Sequence, residues 1–305
     1  MKNQNDLDKH LDRLIRKSEN QVTKIYAARY KEITKEIDKM YKNYEVGGKL
    51  TLNEMNRYNR LDKSLDSITR ELLKGQNQAC RLAQRTAEQQ YLENYYRSAH
   101  MYEFTAQRKL GFGLVDNDTI KAAVENPIDK LKLPAVKSRN RKAVVDRIRN
   151  DIAQGLARGS SYREMTTIVR KAVDMDMNKA RTVVQTESHR AQVKGRDASA
   201  RQAEKYVKLE KKWSAALDGS TRSAHQDLDG VTIGMDEDFK SPNGGVGPYP
   251  SSLNSASDDI RCRCSCLYLV NGREPELRRA RTETGDNEVI PYVNYKDWEK
   301  ERLKK

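Results

Sequence analysis

The feature that most limits what this chain can fold into is an apolar stripe. Between residues 6 and 44, Leu7, Leu11, Leu14, Ile15, Val22, Ile25, Ile33, Ile37 and Met40 recur at three- and four-residue steps, with Lys, Glu and Asp between them. Residues at that spacing share one face of an α-helix, so the pattern predicts one long amphipathic helix. Gly47 and Gly48 accept the left-handed geometry of a helix stop. Thr51 and Glu54 then have the spacing of a capping box, which opens a second helix with the stripe Met55, Tyr58, Leu61, Leu65, Ile68 and Leu72. "KGQNQ" at 74–78 reads as another break, and a third helix carrying Leu82, Tyr91, Tyr95 and Tyr102 runs to about Lys109. Short breaks between long helices imply antiparallel neighbours, so residues 1–109 read as a helical bundle or coiled-coil arm, with the tyrosines as a seam between helices.

Composition agrees. In 305 residues, 36% are hydrophobic and 33% charged, which suits elongated helical parts better than one compact ball. No run approaches the roughly 20 apolar residues that span a bilayer, so no membrane partner is expected. The first ten residues lack the apolar region of a Sec-type signal, which predicts a chain made, and at first used, in a cytosol. The net charge is +14, and residues 130–171 alone contribute +9 of it. A polyanion is the natural partner of such a band, and Arg139, Arg141, Lys142, Arg147 and Arg149 are its nucleic-acid candidates. A solvated helical face is the other reading.

Residues 110–137 read as a connector in which Asp116, Asn117 or Asp118 caps a short helix ending before Pro127. Residues 138–157 are helical again, with Val144, Val145, Ile148, Ile152 and Leu156 buried. Ser161 and Glu164 form a second capping box, and after Asp174 or Asp176 a long helix runs to about Lys205. From Lys208 the texture becomes strand-like, in "YVKLEKKWSAAL", "GVTI" and "RCRCSCLYLV". The fold class is therefore α+β: a mostly helical N-terminal arm or bundle, then a small α+β C-terminal domain over 138–270 with a short sheet. Residues 271–305 read as a charged tail, partly disordered, with a last short helix near Trp298.

The chemistry concentrates in "KWSAALDGSTRSAHQDLDG", residues 212–230, and "RCRCSC", residues 261–266. Asp218 to Arg222 is rich in turn chemistry, and Asp229-Gly230 makes a second turn. On an extended strand Cys262, Cys264 and Cys266 would share one face, with Arg263 and Ser265 on the other. The thiols are either small core residues or ligands of a structural zinc, which needs four donors at about 2.0–2.3 Å. Cys262 and Cys266 would lie about 13 Å apart on a straight strand, so all three cannot share one metal unless the chain bends. The expected ligands are His225, Cys262 and Cys264, with Asp218, Asp229 or water as the fourth. An enzymatic reading has Arg222 meeting phosphate and His225 serving a metal-dependent nuclease or other phosphodiesterase. The sequence holds no G-x-S-x-G, H-E-x-x-H or P-loop to support it. A plain DNA-binding protein is the third alternative.

Several motifs in one order carry a resemblance: Arg181, Glu187-Ser-His-Arg190, Lys212-Trp213, Asp218 with Thr221-Arg222, His225, Asp229-Gly230, Phe239, Pro250 and Cys262-Arg-Cys264. Over about residues 140–270 the chain resembles the Mu F-like domain of the minor head, or head morphogenesis, proteins of tailed bacteriophages. The resemblance implies a non-enzymatic minor capsid component that associates with the portal protein and with other head or scaffolding proteins. It implies a role in head assembly and in DNA packaging or ejection. The expected location is the virion, at the capsid interior or portal vertex, after assembly in the host cytoplasm. Trp213, Asp218, Thr221, Arg222, Asp229, Gly230, Glu187 and Arg190 would hold the module together. Some relatives carry a toxin-like catalytic module after this domain, and the 39 residues after Cys266 are too few for one. Cys266 is extra to the expected pair.

Overall fold

A computed structural model describes residues 4–125, 133–274, 276–281 and 287–302. Helix α1 spans Gln4–Tyr44. It stops where Val46 and Lys49 bridge across Gly47 and Gly48, whose φ angles are 59° and 77°. Thr51 caps the short α2 (Leu52–Asn56), its side chain accepting from the Glu54 amide at 3.3 Å. Left-handed Tyr58 and Asn59 then turn the chain, which leaves Tyr58 exposed instead of in the buried stripe.

Helix α3 runs unbroken over Arg60–Ala106, through the stretch where a break is expected. Packing overrides propensity there. A Cβ on Gly75 would meet the Arg29 side chain at 3.1 Å, and the Gln76 amide is buried against Asp176 at 3.0 and 3.1 Å. Asp116 caps α4 (Asn117–Val124) by accepting from Thr119. Residues 126–132 of the connector, with Pro127 and Lys130, lie outside the described residues, as do 282–286 and 303–305 of the C-terminal segment. Helix α5 covers Leu133–Ala157. Helix α6 covers Tyr162–Glu204, opened by the Ser161–Glu164 box: the Ser161 amide donates to Glu164 at 2.7 Å and the Glu164 amide to Ser161 at 3.4 Å. Asp174 and Asp176 start no new helix. The Asp176 carboxylate is held instead by Tyr26 at 2.9 Å and by Gln76.

Compact packing cuts across the linear blocks 1–109, 110–137, 138–270 and 271–305. One unit gathers residues 17–83 and 128–184; the other gathers 1–16, 84–127 and 185–305. The first is all-helical. Its core interleaves Ile33 and Ile37 of α1, Ile68 and Leu72 of α3, Ile148 and Ile152 of α5, and Val169 and Val173 of α6, all essentially solvent-free.

The second unit joins helix ends to a small sheet. Gly195 of α6 faces the backbone of Tyr91 in α3 so closely that no Cβ would fit. Strands β1 (Leu209–Ser214), β2 (Thr232–Gly234) and β5 (Ser265–Val270) form an antiparallel sheet in the order β2-β1-β5, with Trp213 opposite Cys266. Between them lie α7 (Ser223–Leu228), the β3 (Phe239–Lys240) and β4 (Val246–Gly247) pair, and α8 (Ala256–Asp259). The expected strand from residue 261 begins only at Ser265. Arg261 is left-handed at φ 56°, which bends the chain just before Cys262. The segment read as a charged tail forms a hairpin, β6 (Leu277–Arg281) with β7 (Asn287–Pro291), and then α9 (Tyr295–Arg302). Ala280, Tyr295 and Trp298 bury themselves with Leu217. Apolar residues too sparse to show a period nevertheless make a small core.

Candidate functional site

The site is built from the loop that leaves β1. The Asp218 carboxylate accepts from the Ser220 amide at 2.9 Å, and the Thr221 hydroxyl donates to the Ala216 carbonyl at 2.5 Å. This Asx turn launches α7 and carries His225 into the interior, where it is 2% exposed. The bend at Arg261 brings two cysteines to the same place. His225 Nδ1 lies 3.3 Å from Cys264 Sγ and 3.8 Å from Cys262 Sγ. One donor atom from each of the three residues falls within 4.8 Å of the others, and all three residues are buried.

The surroundings orient the imidazole. Trp213 meets it edge-on, with centroids 5.6 Å apart, and meets Phe239 edge-to-face in turn at 5.1 Å. On the far side, His225 Nε2 is 3.4 Å from Asp258 Oδ1. That oxygen accepts from Ser241 and Asn243, each at 3.0 Å. A carboxylate behind a histidine is the usual second partner that fixes a metal-ligating ring. Burial raises the Asp258 pKa, but hydrogen bonds from Asn243, Ser255 and Ser241 bring it below the ordinary carboxylate value.

The thiols divide. The hydrogen bond from Cys264, with that from His225, outweighs burial and draws the Cys262 pKa well below its ordinary value. Burial and the neighbouring Cys262 push Cys264 well above. Burial alone would lower the His225 pKa, yet the hydrogen bond and charge of Cys262 raise it. Of the two thiols, Cys262 is therefore the more readily ionised. A bound cation would let both sulfurs ionise. Two sulfurs and one ring nitrogen are a donor set that zinc accepts, one short of its four.

Neither carboxylate expected as the fourth ligand is free for it. Asp218 is clamped by Arg263, which donates from both terminal nitrogens, one at 2.8 Å. On a straight strand Arg263 would face away from the cysteines; with the chain bent at Arg261 it reaches Asp218 of this loop. Asp229 accepts from the Ala215 amide at 2.7 Å, the Tyr295 amide at 2.6 Å and both terminal nitrogens of Arg278, at 2.5 and 2.8 Å. Gly230 follows at φ 84°, its amide donating to the Trp213 carbonyl at 3.0 Å. Arg222 donates to the carbonyls of Asp258 and Ile260, tying α7 to the end of α8.

Glu187 and Arg190 stand apart from the trio. They pair at 2.9 Å on α6, and Arg190 donates to the carbonyls of Ala123 and Val124, closing the end of α4. Cys266 is buried in the core, and its carbonyl accepts from Arg196 at 3.3 Å. Cys80 lies in the helical unit, beside a narrow void shared with Tyr26 and Asp176. Of the basic candidates on α5, Arg139, Arg141, Lys142 and Arg147 are exposed, while Arg149 is half-buried and pairs with Asp66 at 2.6 Å. Asp258, Arg278 and the pairing of Arg263 with Asp218 escaped the sequence reading. A carboxylate or guanidinium some 30–50 residues from its partner gives no local signal, although each type is rarely buried unpaired.

The model of the family described as "Phage Mu protein F like protein" matches residues 146–267, which hold the trio and the Asp218–Arg263 pair but not Arg278 or Tyr295. The chain is 43% identical over 300 residues to Minor head protein GP7 of Bacillus phage SPP1, covering 98% of this chain and 97% of that one. It belongs to the bacteriophage minor head proteins, minor capsid components with a role in head morphogenesis. It is also 27% identical over 213 residues to the NAD(+)--arginine ADP-ribosyltransferase EFV of Enterococcus faecalis, across 70% of this chain and 43% of that protein. A third relative, the uncharacterized protein YqbB of Bacillus subtilis, is 27% identical over 168 residues, 52% of each chain. No solved structure matches. Among the described residues, no helix is long and apolar enough to cross a membrane.

Proposed function

We propose that this minor head protein is a non-enzymatic scaffold that docks on the portal inside the head, with His225, Cys262 and Cys264 holding a structural zinc. One observation carries the reading. The groups that look catalytic in sequence are engaged in holding the chain together: Asp218 by Arg263, Asp229 by Arg278 and Tyr295, and Arg222 by two carbonyls. A nuclease would need an imidazole nitrogen presented to its substrate, whereas His225 is buried with Nδ1 against the two thiols and Nε2 facing Asp258. The match to the ADP-ribosyltransferase spans less than half of that enzyme, which agrees with a shared scaffold segment. The exposed Arg141 and Lys142 on α5 suit an interior filled with DNA, and the long helices suit a helical docking partner.

The test is co-expression of the full-length chain with the portal and major head proteins of its phage. Incorporation into heads that depends on the portal supports the proposal. Equal incorporation into portal-less heads contradicts portal docking. Metal-dependent plasmid cleavage that is lost in His225→Ala contradicts the non-enzymatic part.

A further inference from the structure

Beside the trio lies an open polar cleft of about 450 Å³. Three arginines line it, Arg222, Arg261 and Arg263, with the Ser220 and Thr221 hydroxyls. His225 and Cys264 form part of its wall, and no carboxylate lines it among the described residues. We propose that this cleft is a binding site for a phosphoryl oxyanion, distinct from the basic face of α5.

The arginines are held in place by bonds that leave donors over. A guanidinium has five N–H donors. Arg222 uses its terminal nitrogens on the carbonyls of Asp258 and Ile260, and Arg263 uses its own on Asp218. These contacts fix both side chains without filling every donor, which lowers the ordering cost of binding an anion. Asp218 pairs with Arg263 from outside the cleft lining. Arg261 supplies the most telling detail. It sits in the left-handed region at φ 56°, uncommon for a residue with a side chain. Its amide is held by the Thr186 hydroxyl of α6 at 3.1 Å, and its side chain is exposed at the cleft. A glycine would relieve that backbone conformation. Cleft size and polarity suit a phosphate group rather than an apolar ligand.

The phosphate can come from a DNA backbone or from a free ion, and the experiment separates them. Binding of the full-length protein to a labelled duplex DNA is followed by fluorescence anisotropy across a salt series, with inorganic phosphate as competitor. Three variants are compared: Arg261→Glu, Ser220→Glu, and the α5 double variant Arg141→Ala with Lys142→Ala. Ser220 is exposed and only its backbone amide is bonded, so Ser220→Glu adds repulsion in the cleft without removing a contact. If the cleft holds the DNA backbone, both cleft variants weaken duplex binding about tenfold, and Arg261→Glu also flattens the salt slope by about one phosphate contact. If it holds a free ion, inorganic phosphate raises the thermal midpoint of the parent protein and not of either cleft variant, while duplex binding is unchanged. Unchanged duplex binding together with no phosphate-dependent stabilisation overturns the proposal, whatever the α5 variant does.

Discussion

Both compact units bury an apolar core, and they differ in how many long-range polar contacts supplement it. The helical unit, residues 17–83 and 128–184, rests on aliphatic stripes from four helices. Its conspicuous buried polar group, Asp176, is satisfied by Tyr26 and Gln76. The other unit has its own apolar core, around Trp213, Phe239 and Leu253, and adds polar pins between residues far apart in sequence: Arg278 on Asp229, Arg263 on Asp218, Arg196 on Asp8, and the His225–Cys262–Cys264 trio. Stripes tolerate exchange among aliphatic residues of similar volume. A pin does not, because removing one partner leaves the other buried and uncompensated. The module with the greater density of irregular loops is therefore expected to be the more brittle one.

The two tryptophans make that contrast measurable. Trp213 and Trp298 are both buried in the pinned unit, so intrinsic fluorescence follows that unit while far-UV dichroism follows both. The largest effect is expected for Asp229→Ala. It strands Arg278, which is 4% exposed, and should cost about 3–5 kcal/mol. Fluorescence should then report unfolding at lower urea than dichroism. Coincident transitions shifted together would show that the units are not separately stabilised. Next comes Ile148→Ala in the helical unit, expected to cost about 2–5 kcal/mol with its effect chiefly in dichroism.

Smaller still is a pH effect at Asp176. Burial raises its pKa despite the hydrogen bonds from Gln76 and Tyr26. The folded chain therefore binds that proton more tightly than the unfolded one. Its contribution opposes folding above the ordinary carboxylate range and is relieved as pH falls toward it. Compared with the parent, Asp176→Asn should remove this component of the stability–pH slope, seen in denaturation series at several pH values. An identical slope in both proteins would contradict the assignment. The smallest effect is expected for Ser161→Ala, about 1 kcal/mol from loss of the α6 cap. A larger loss would mean that Ser161 supports more than the helix start.

The same contrast explains what could be read before any coordinates. Helical stripes repeat locally, so α1, the Thr51 and Ser161 boxes and the buried face of α5 were legible. Two predicted breaks were not breaks, because Gly75 and Asp176 answer to neighbouring helices and not to their own. The trio was legible from residue types alone, since a lone histidine and paired cysteines near turns are few in this chain. The geometry that unites them hangs on left-handed Arg261, which no propensity favours. The last helix near Trp298 was legible, but the hairpin and the docking of α9 were hidden because Arg278 and Tyr295 are polar or amphipathic residues whose role is set by Asp229, some 50–65 residues away.

The central claim is that His225, Cys262 and Cys264 converge to hold a metal that stabilises a scaffold. Elemental analysis of the full-length protein, purified under reducing conditions without chelator, tests it most directly. The account predicts about one zinc per chain, absent from Cys264→Ser, with Trp213 fluorescence changing when a strong chelator removes the ion. A folded, metal-free protein whose Trp213 signal is indifferent to both zinc and chelator would contradict it.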